Sequence, residues 1–333
     1  MGADMRRRQF LGVLGGGSVA WSRGAYAQQA ERLGRVGVLM LGRAENPTQQ
    51  ARIKVLLQAL KLLGWEVGRN LQIDVRWATG NSTLLRKHAN ELVAIAPDVI
   101  LAVTNQALGP LRQASSVVPI VFVLAIDPVG SGDVTSLARP AGNATGFLLY
   151  EYSISGKWLE LLKQIAPGVT RVAVLRDSAT AAGIGQFAAI QAVASPFKVE
   201  LSLVDVRDRS AIEQSIEAFA RTPNGGLIVP ASVAAAIHRK LIVELAARHR
   251  LPAVYPFRES VSVGGLISYG PDLTDQYRAG ANYIHRILKG AKPGDLPVQA
   301  PTKYQLAINL KAARALDLNV PPSLLARADA VIE

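Results

Sequence analysis

The segment VPIVFVLAIDPVGSGDVTSLARPAGNATGFLLY, residues 118–150, has a counterpart in LPAVYPFRESVSVGGLISYG, residues 251–270. Each carries a proline, an apolar run, a charged or polar turn read here as leading into a short helix, a glycine and then a further apolar strand. Short runs rich in Val, Ile, Phe and Tyr favour extended chain, because β-branched and aromatic side chains pack well on a pleated surface. A pattern met twice at corresponding places points to two similar halves.

Outward from the first copy, the strands RVGVLML (35–41), LQIDVRW (71–77) and DVILAVT (98–104) alternate with helical segments over 47–63 and 84–95 and a short helix through Arg112. The second copy is preceded by a helix over 155–165. The strands RVAVLRD (171–177), VELSLVDV (199–206), GGLIVPA (225–231) and PAVYPF (252–257) follow, with helices over 184–194, 211–220 and 233–248 between them. Continuous apolar strands separated by helices indicate parallel sheets covered on both faces. The fold class is therefore α/β, with two Rossmann-like doubly wound lobes. The further strands at 144–150 and 265–269 lead from one half toward the other, and a helix over 274–289 and a late strand KYQLAINL (303–310) complete three hinge crossovers. We divide the chain into lobe 1, residues 33–146 plus 271–302, and lobe 2, residues 147–270 plus 303–333.

Ahead of the lobes, RRRQFLGVLGGGSVAWSRGAYAQQ (6–29) has a basic start, a short apolar stretch and small residues at Ala25 and Ala27, the order of an export signal. Its apolar part is shorter than the roughly 20 residues a membrane-spanning helix needs. The run RRQFL (7–11) resembles the twin-arginine export motif, and a general secretory signal is the alternative. Residues 1–27 are expected to be removed, leaving a soluble chain in the periplasm with no span of its own.

Composition narrows the classes further. A length of 333 residues suits two domains, and 49% hydrophobic with 19% charged residues describes a globular chain. There is no cysteine, which removes disulfides, thiol nucleophiles and thiolate metal sites. The net charge of +12 is dispersed; its densest run, HRKLIVELAARHR (238–250), flanks an apolar stripe and reads as the solvated face of an amphipathic helix. We therefore expect no nucleic-acid partner.

Parallel α/β lobes bind ligands beyond the carboxyl ends of their strands, where helix N-termini present free N–H groups. In the first half these positions are Gly42, Arg43, Thr104, Asn105, Gln106 and Asp127. In the second they are Asp177, Ser178, Ser232 and Phe257 to Glu259, with Tyr269 and Asp272 at the hinge. Hydroxyls and N-terminal amides suit a carboxylate, and an aspartate suits an ammonium group. Plainer roles stand beside these: Thr104, Ser178 and Ser232 as helix caps, Asp127 before Pro128 as a turn former, Asp177 as a cap, and the tyrosines as hinge packing. The chain has no P-loop, no H-E-x-x-H pair, no G-x-S-x-G elbow and no G-x-G-x-x-G after the first strand. His88, His238, His249 and His285 fall inside expected helices, so catalysis, cofactors and metals are not expected.

The stretches DPVGSG (127–132), AGNATG (141–146), GGLISYG (264–270) and LKGAKPGDLPVQAPTKYQLAINL (288–310) resemble the solute-binding proteins of ABC importers, in the branch with tryptophan- and tyrosine-binding members. The likeness runs from Arg35 to Glu333. It implies the type I periplasmic-binding fold, a small polar organic solute such as an amino acid or aromatic carboxylate, and docking of the closed form on a membrane permease driven by an ATPase. A periplasmic enzyme using the same cleft, or a sensory binding protein, are the alternatives.

Overall fold

The computed structural model describes residues 33–79, 81–178 and 180–333. The export signal read over residues 1–27 lies outside them. The first lobe runs β1 (Gly34–Leu41), α1 (Pro47–Leu62), β2 (Leu71–Ala78), α2 (Ser82–Ala94), β3 (Val99–Val103), α3 (Asn105–Ala114), β4 (Ile120–Ala125) and β5 (Ala144–Leu148). Its strands form a parallel sheet in the order β2-β1-β3-β4-β5. β3 and β4 are buried along their whole length, which is why they read as unbroken apolar runs. β2 lies at the edge and is mostly half-buried, so its sequence alternates instead.

The second lobe runs α4 (Ile154–Ile165), β6 (Arg171–Arg176), α5 (Ala181–Ala194), β7 (Glu200–Asp205), α6 (Arg209–Ala220), β8 (Gly225–Ile228), α7 (Val233–Ile237), α8 (Arg239–Arg248), β9 (Ala253–Tyr255), α9 (Arg258–Val261) and β10 (Ile267–Pro271). The chain then returns as α10 (Leu273–Leu288), which packs on the first sheet, and comes back as β11 (Tyr304–Asn309), α11 (Leu310–Ala315), α12 (Pro322–Leu325) and β12 (Ala330–Ile332). The second sheet has the order β12-β11-β10-β9-β8-β6-β7. Within it, β7-β6-β8-β9-β10 repeats the order of the first sheet, the topological form of the duplication legible in the sequence. β11 arrives by the third crossing and pairs antiparallel with β10.

Two local expectations differ. The polar turn after β4 forms no short helix: Asp127 sits at φ +47° and Gly132 at φ +73°, while the N–H groups of Ser131 and Asp133 bond the carbonyls of Asp127 and Pro128. Two glycines within four positions of Pro128 oppose a helix, and the turn bonds replace it. The single helix read over 233–248 is divided at His238 (φ −90°, ψ 12°) into α7 and α8, although its N–H still donates to the Ala234 carbonyl.

Buried polar groups fasten the crossings. The Gln276 side chain, on α10, accepts from the Leu124 N–H at 3.0 Å and donates to the Leu149 carbonyl at 3.3 Å, joining β4 to the first crossing. Trp158, fully buried on α4, donates its indole N–H to the Tyr269 carbonyl at 2.7 Å. Gly270 approaches the Pro256 carbonyl so closely that an added Cβ would lie 1.8 Å from its oxygen. A side chain there has no room.

Candidate functional site

Between the lobes lies a cavity of about 350 Å³ walled by both. The first lobe contributes Thr104, Asn105 and Gln106 from the β3–α3 junction, Leu124 and Ile126 from the end of β4, and Arg52 from α1. The second contributes Asp177 after β6, Ala231, Ser232 and Val233 after β8, Arg239 on α8, and Phe257 and Glu259 around the start of α9. These are the carboxyl ends of both sheets, where doubly wound folds place ligands.

Each local position has a cause. Asn46 caps α1, accepting from the N–H groups of Thr48 and Gln49, and Pro47 follows at the first helical position. Ile53, Leu56 and Leu60 then bury one face of that helix, which leaves Arg52 on its flank beside the cleft. Thr104 enters α3 at φ +74°, ψ 164°, a conformation otherwise confined to glycine, and makes no side-chain cap bond. Its Oγ1 is buried and has no hydrogen-bond partner. A strained β-branched residue with an unsatisfied hydroxyl thus stands on the wall of the interlobe cavity. The Asn105 side chain donates to the Ile126 carbonyl and accepts from the Ile126 N–H, locking the β4 end to α3.

The charges are arranged across the gap. Arg52 Nη2 lies 3.1 Å from Glu259 Oε1, an ion pair joining one lobe to the other. Arg239 is half-buried; burial holds its guanidinium below its ordinary pKa, Glu259 acts to raise it, and Arg52 adds to the lowering. Behind Arg52, burial pushes the Tyr277 phenol up to about 12, against the opposing pull of that guanidinium. A second cavity of about 440 Å³ adjoins the first and shares Arg52, Phe257, Glu259 and Leu273 with it.

Of the positions singled out from sequence, the structure brings Thr104, Asn105, Gln106, Asp177, Ser232 and Phe257 together on the main cavity, and Glu259 with them. Ser232 also caps α7, accepting from the Ala235 N–H at 3.0 Å, whereas the cap of α5 is Thr180 and not Asp177. Asp272 borders the adjoining cavity and caps α10 through the Thr274 N–H. Asp127 shapes its turn by accepting from the Gly130 N–H, and it also accepts from the Tyr152 hydroxyl at 3.2 Å. Burial, reinforced by the Asp127 charge, pushes the Tyr152 phenol up to about 12. Ser178 is exposed and bonded to Asp205, Tyr269 stacks on Tyr304 with ring centroids 5.6 Å apart, and Gly42 and Arg43 lie off the cavity.

Of the cavity residues that escaped the sequence reading, the charged ones are Arg52 and Arg239, each of which sits within a helical segment and not at a strand end. Arg239 belongs to the basic run read as a solvated face, and the structure corrects that reading at this position: the start of α8 turns toward the other lobe. Among the described residues no cluster of His, Asp and Glu is placed to hold a metal ion, and no helix is long and apolar enough to cross a membrane.

Two doubly wound lobes, three crossings and a walled cavity at facing strand ends define a ligand-capturing protein of the type I periplasmic-binding fold. The chain belongs to the family described as ABC transporter substrate binding protein, which it matches over residues 36–332. It is 26% identical over 284 residues to the tyrosine-binding protein of Clostridioides difficile (strain R20291), covering 85% of this chain and 81% of the relative. It is similar to a conserved domain protein from Vibrio cholerae with a TM-score of 0.83 and 27% identity, over 90% of this chain and 100% of the other. The ABC domain from Streptococcus pneumonia solved in complex with L-Trp aligns with a TM-score of 0.81 and 25% identity, over 90% and 99% of the two chains. The first of these relatives is named for binding tyrosine, and the Streptococcus pneumonia domain was solved with L-Trp.

Proposed function

We propose that this protein is the solute-capturing component of an ABC importer, exported to the periplasm, that binds an amino-acid-like solute in the interlobe cavity without chemical change. The observation that carries the reading is the cavity itself: about 350 Å³, at the small end of ligand pockets, with charged and hydroxyl groups from both lobes around an apolar body. The tyrosine- and tryptophan-binding relatives support an amino acid with an aromatic side chain. The proposed mechanism is closure of the two lobes on the solute. Residues 33–146 plus 271–302 close on residues 147–270 plus 303–333 about the three crossings. A solute touching both walls shifts that equilibrium by the difference in its affinity for the closed and open states. The closed form docks on a permease whose ATPase drives transport.

The test is a thermal-shift and calorimetric screen of the refolded, ligand-free chain begun at Gln28 against amino acids, aromatic acids and related carboxylates. A solute at 100 times its Kd stabilises the chain by about 2.7 kcal/mol, several degrees in Tm for a protein of this size. Silence across the panel from folded protein, or turnover of the bound compound, would overturn the proposal.

A further inference from the structure

Among the described residues, four ionisable side chains wall the interlobe cavity: Arg52, Arg239, Asp177 and Glu259. Arg52 and Glu259 are engaged with each other across the lobes. Arg239 forms no such pair: no described carboxylate stands within ion-pair distance of its half-buried guanidinium, and Glu259 attracts it only from farther off. On the first lobe's side of the same cavity, the buried Thr104 hydroxyl also lacks a partner and is held there by a backbone conformation unfavourable for threonine.

A half-buried guanidinium with no ion-pair partner among the described residues and a buried hydroxyl with no hydrogen-bond partner, on two residues that line one cavity, share one complement. The guanidinium offers a fork of N–H donors and the threonine one O–H donor; a carboxylate, with two acceptor oxygens, satisfies both. We propose that Arg239 and Thr104 together determine specificity by holding the solute's carboxylate, so that a free carboxylate is a condition of binding. The assignment rests on the solute-capture reading and adds the group that the cleft requires. It also gives closure a chemical basis. Arg239 belongs to the second lobe and Thr104 to the first, so one anion satisfies both only when the lobes are together. Leu124, Ile126 and Phe257 then face the hydrocarbon part of the solute.

The experiment compares L-tyrosine and L-tryptophan with their amides and decarboxylated amines by calorimetry, on the wild-type chain and on Arg239→Gln, Arg239→Lys and Thr104→Val. The acids are expected to bind, and the amides and amines to bind about 10- to 100-fold more weakly, the range for losing a hydrogen bond to a charged group. Arg239→Gln is expected to lose affinity for the acids by a similar factor while changing little for the amides, so that the acid-to-amide ratio collapses; Arg239→Lys recovers part of it. A purely structural role would weaken all ligands together and leave that ratio intact. Should Arg239→Gln fail to fold, the wild-type acid-to-amide ratio decides alone. A ratio near one in the wild type, or one preserved in folded Arg239→Gln, would overturn the assignment while leaving solute capture standing. Binding of some other panel compound but none of the acids would overturn both the carboxylate anchor and the amino-acid reading.

Discussion

Glu259→Gln removes the carboxylate that joins the lobes. At 3.1 Å and an effective dielectric near 20, the Coulomb attraction to Arg52 is about 5 kcal/mol before desolvation is counted. The net value is far smaller. The Arg52 side chain is 15% exposed and that of Glu259 32%, which places the pair between exposed ones, worth up to about 1 kcal/mol, and buried ones, which cost about 3–5 kcal/mol to break. We expect Glu259→Gln to cost about 2 kcal/mol, with an Arg52–Glu259 coupling of about 1–2 kcal/mol. Loss of the carboxylate also leaves Arg52 and Arg239 as like charges on one cavity. The assay is urea unfolding of the ligand-free wild type, Glu259→Gln, Arg52→Gln and the double variant, with solution scattering to follow the separation of the lobes. Single-variant effects that add to within about 0.3 kcal/mol, with unchanged scattering, would show that this pair does not hold the lobes together and would refute the reasoning.

Thr104→Gly relieves the strained backbone at φ +74°, ψ 164°, so we expect the ligand-free protein to gain about 1 kcal/mol in thermal unfolding, net of glycine's greater freedom in the unfolded chain, while solute affinity falls in titration. Gly270→Ala forces a Cβ against the Pro256 carbonyl at the second crossing, and urea unfolding should show a loss of at least about 1–3 kcal/mol. Trp158→Phe keeps most of the apolar volume but strands the Tyr269 carbonyl, for an expected loss of about 1–3 kcal/mol in the same measurement. The Arg207 guanidinium, helped by the Ser178 hydroxyl, holds the Asp205 carboxyl at about 2, below its ordinary 3.8. Its contribution is therefore present above about pH 4 and lost as pH falls toward 2; because Asp205 is 33% and Arg207 57% exposed, Asp205→Asn should remove no more than about 1 kcal/mol of that acid-limb loss, read from unfolding at stepped pH.

The two-lobed architecture was legible in the chain because its signals are local. A strand buried on both faces must be apolar throughout, as in Val99–Val103 and Ile120–Ala125, and the edge strand Leu71–Ala78 alternates because Ile73, Val75 and Trp77 pack on the core from one face while Gln72, Asp74 and Arg76 occupy the other. Strand ends in such a lobe are ligand positions by topology, which is how Thr104, Asn105, Gln106, Asp177, Ser232 and Phe257 could be named in advance. The departures have equally physical sources. Gly130 and Gly132 turned an expected helix into stacked turns, and Asp272 and Tyr269 serve the hinge by capping α10 and stacking on Tyr304. Periodicity along α1 and α8 tells which stripe is buried against the sheet, but not what the flank of either helix meets. Arg52 and Arg239 became cavity residues only because one lobe approaches the other, and that approach depends on contacts between residues some 200 positions apart, as in the Arg52–Glu259 pair. Side-chain patterning follows from each residue's immediate burial, whereas the meeting of charges across the cleft is a property of two folded bodies and has no signature in either stretch of sequence.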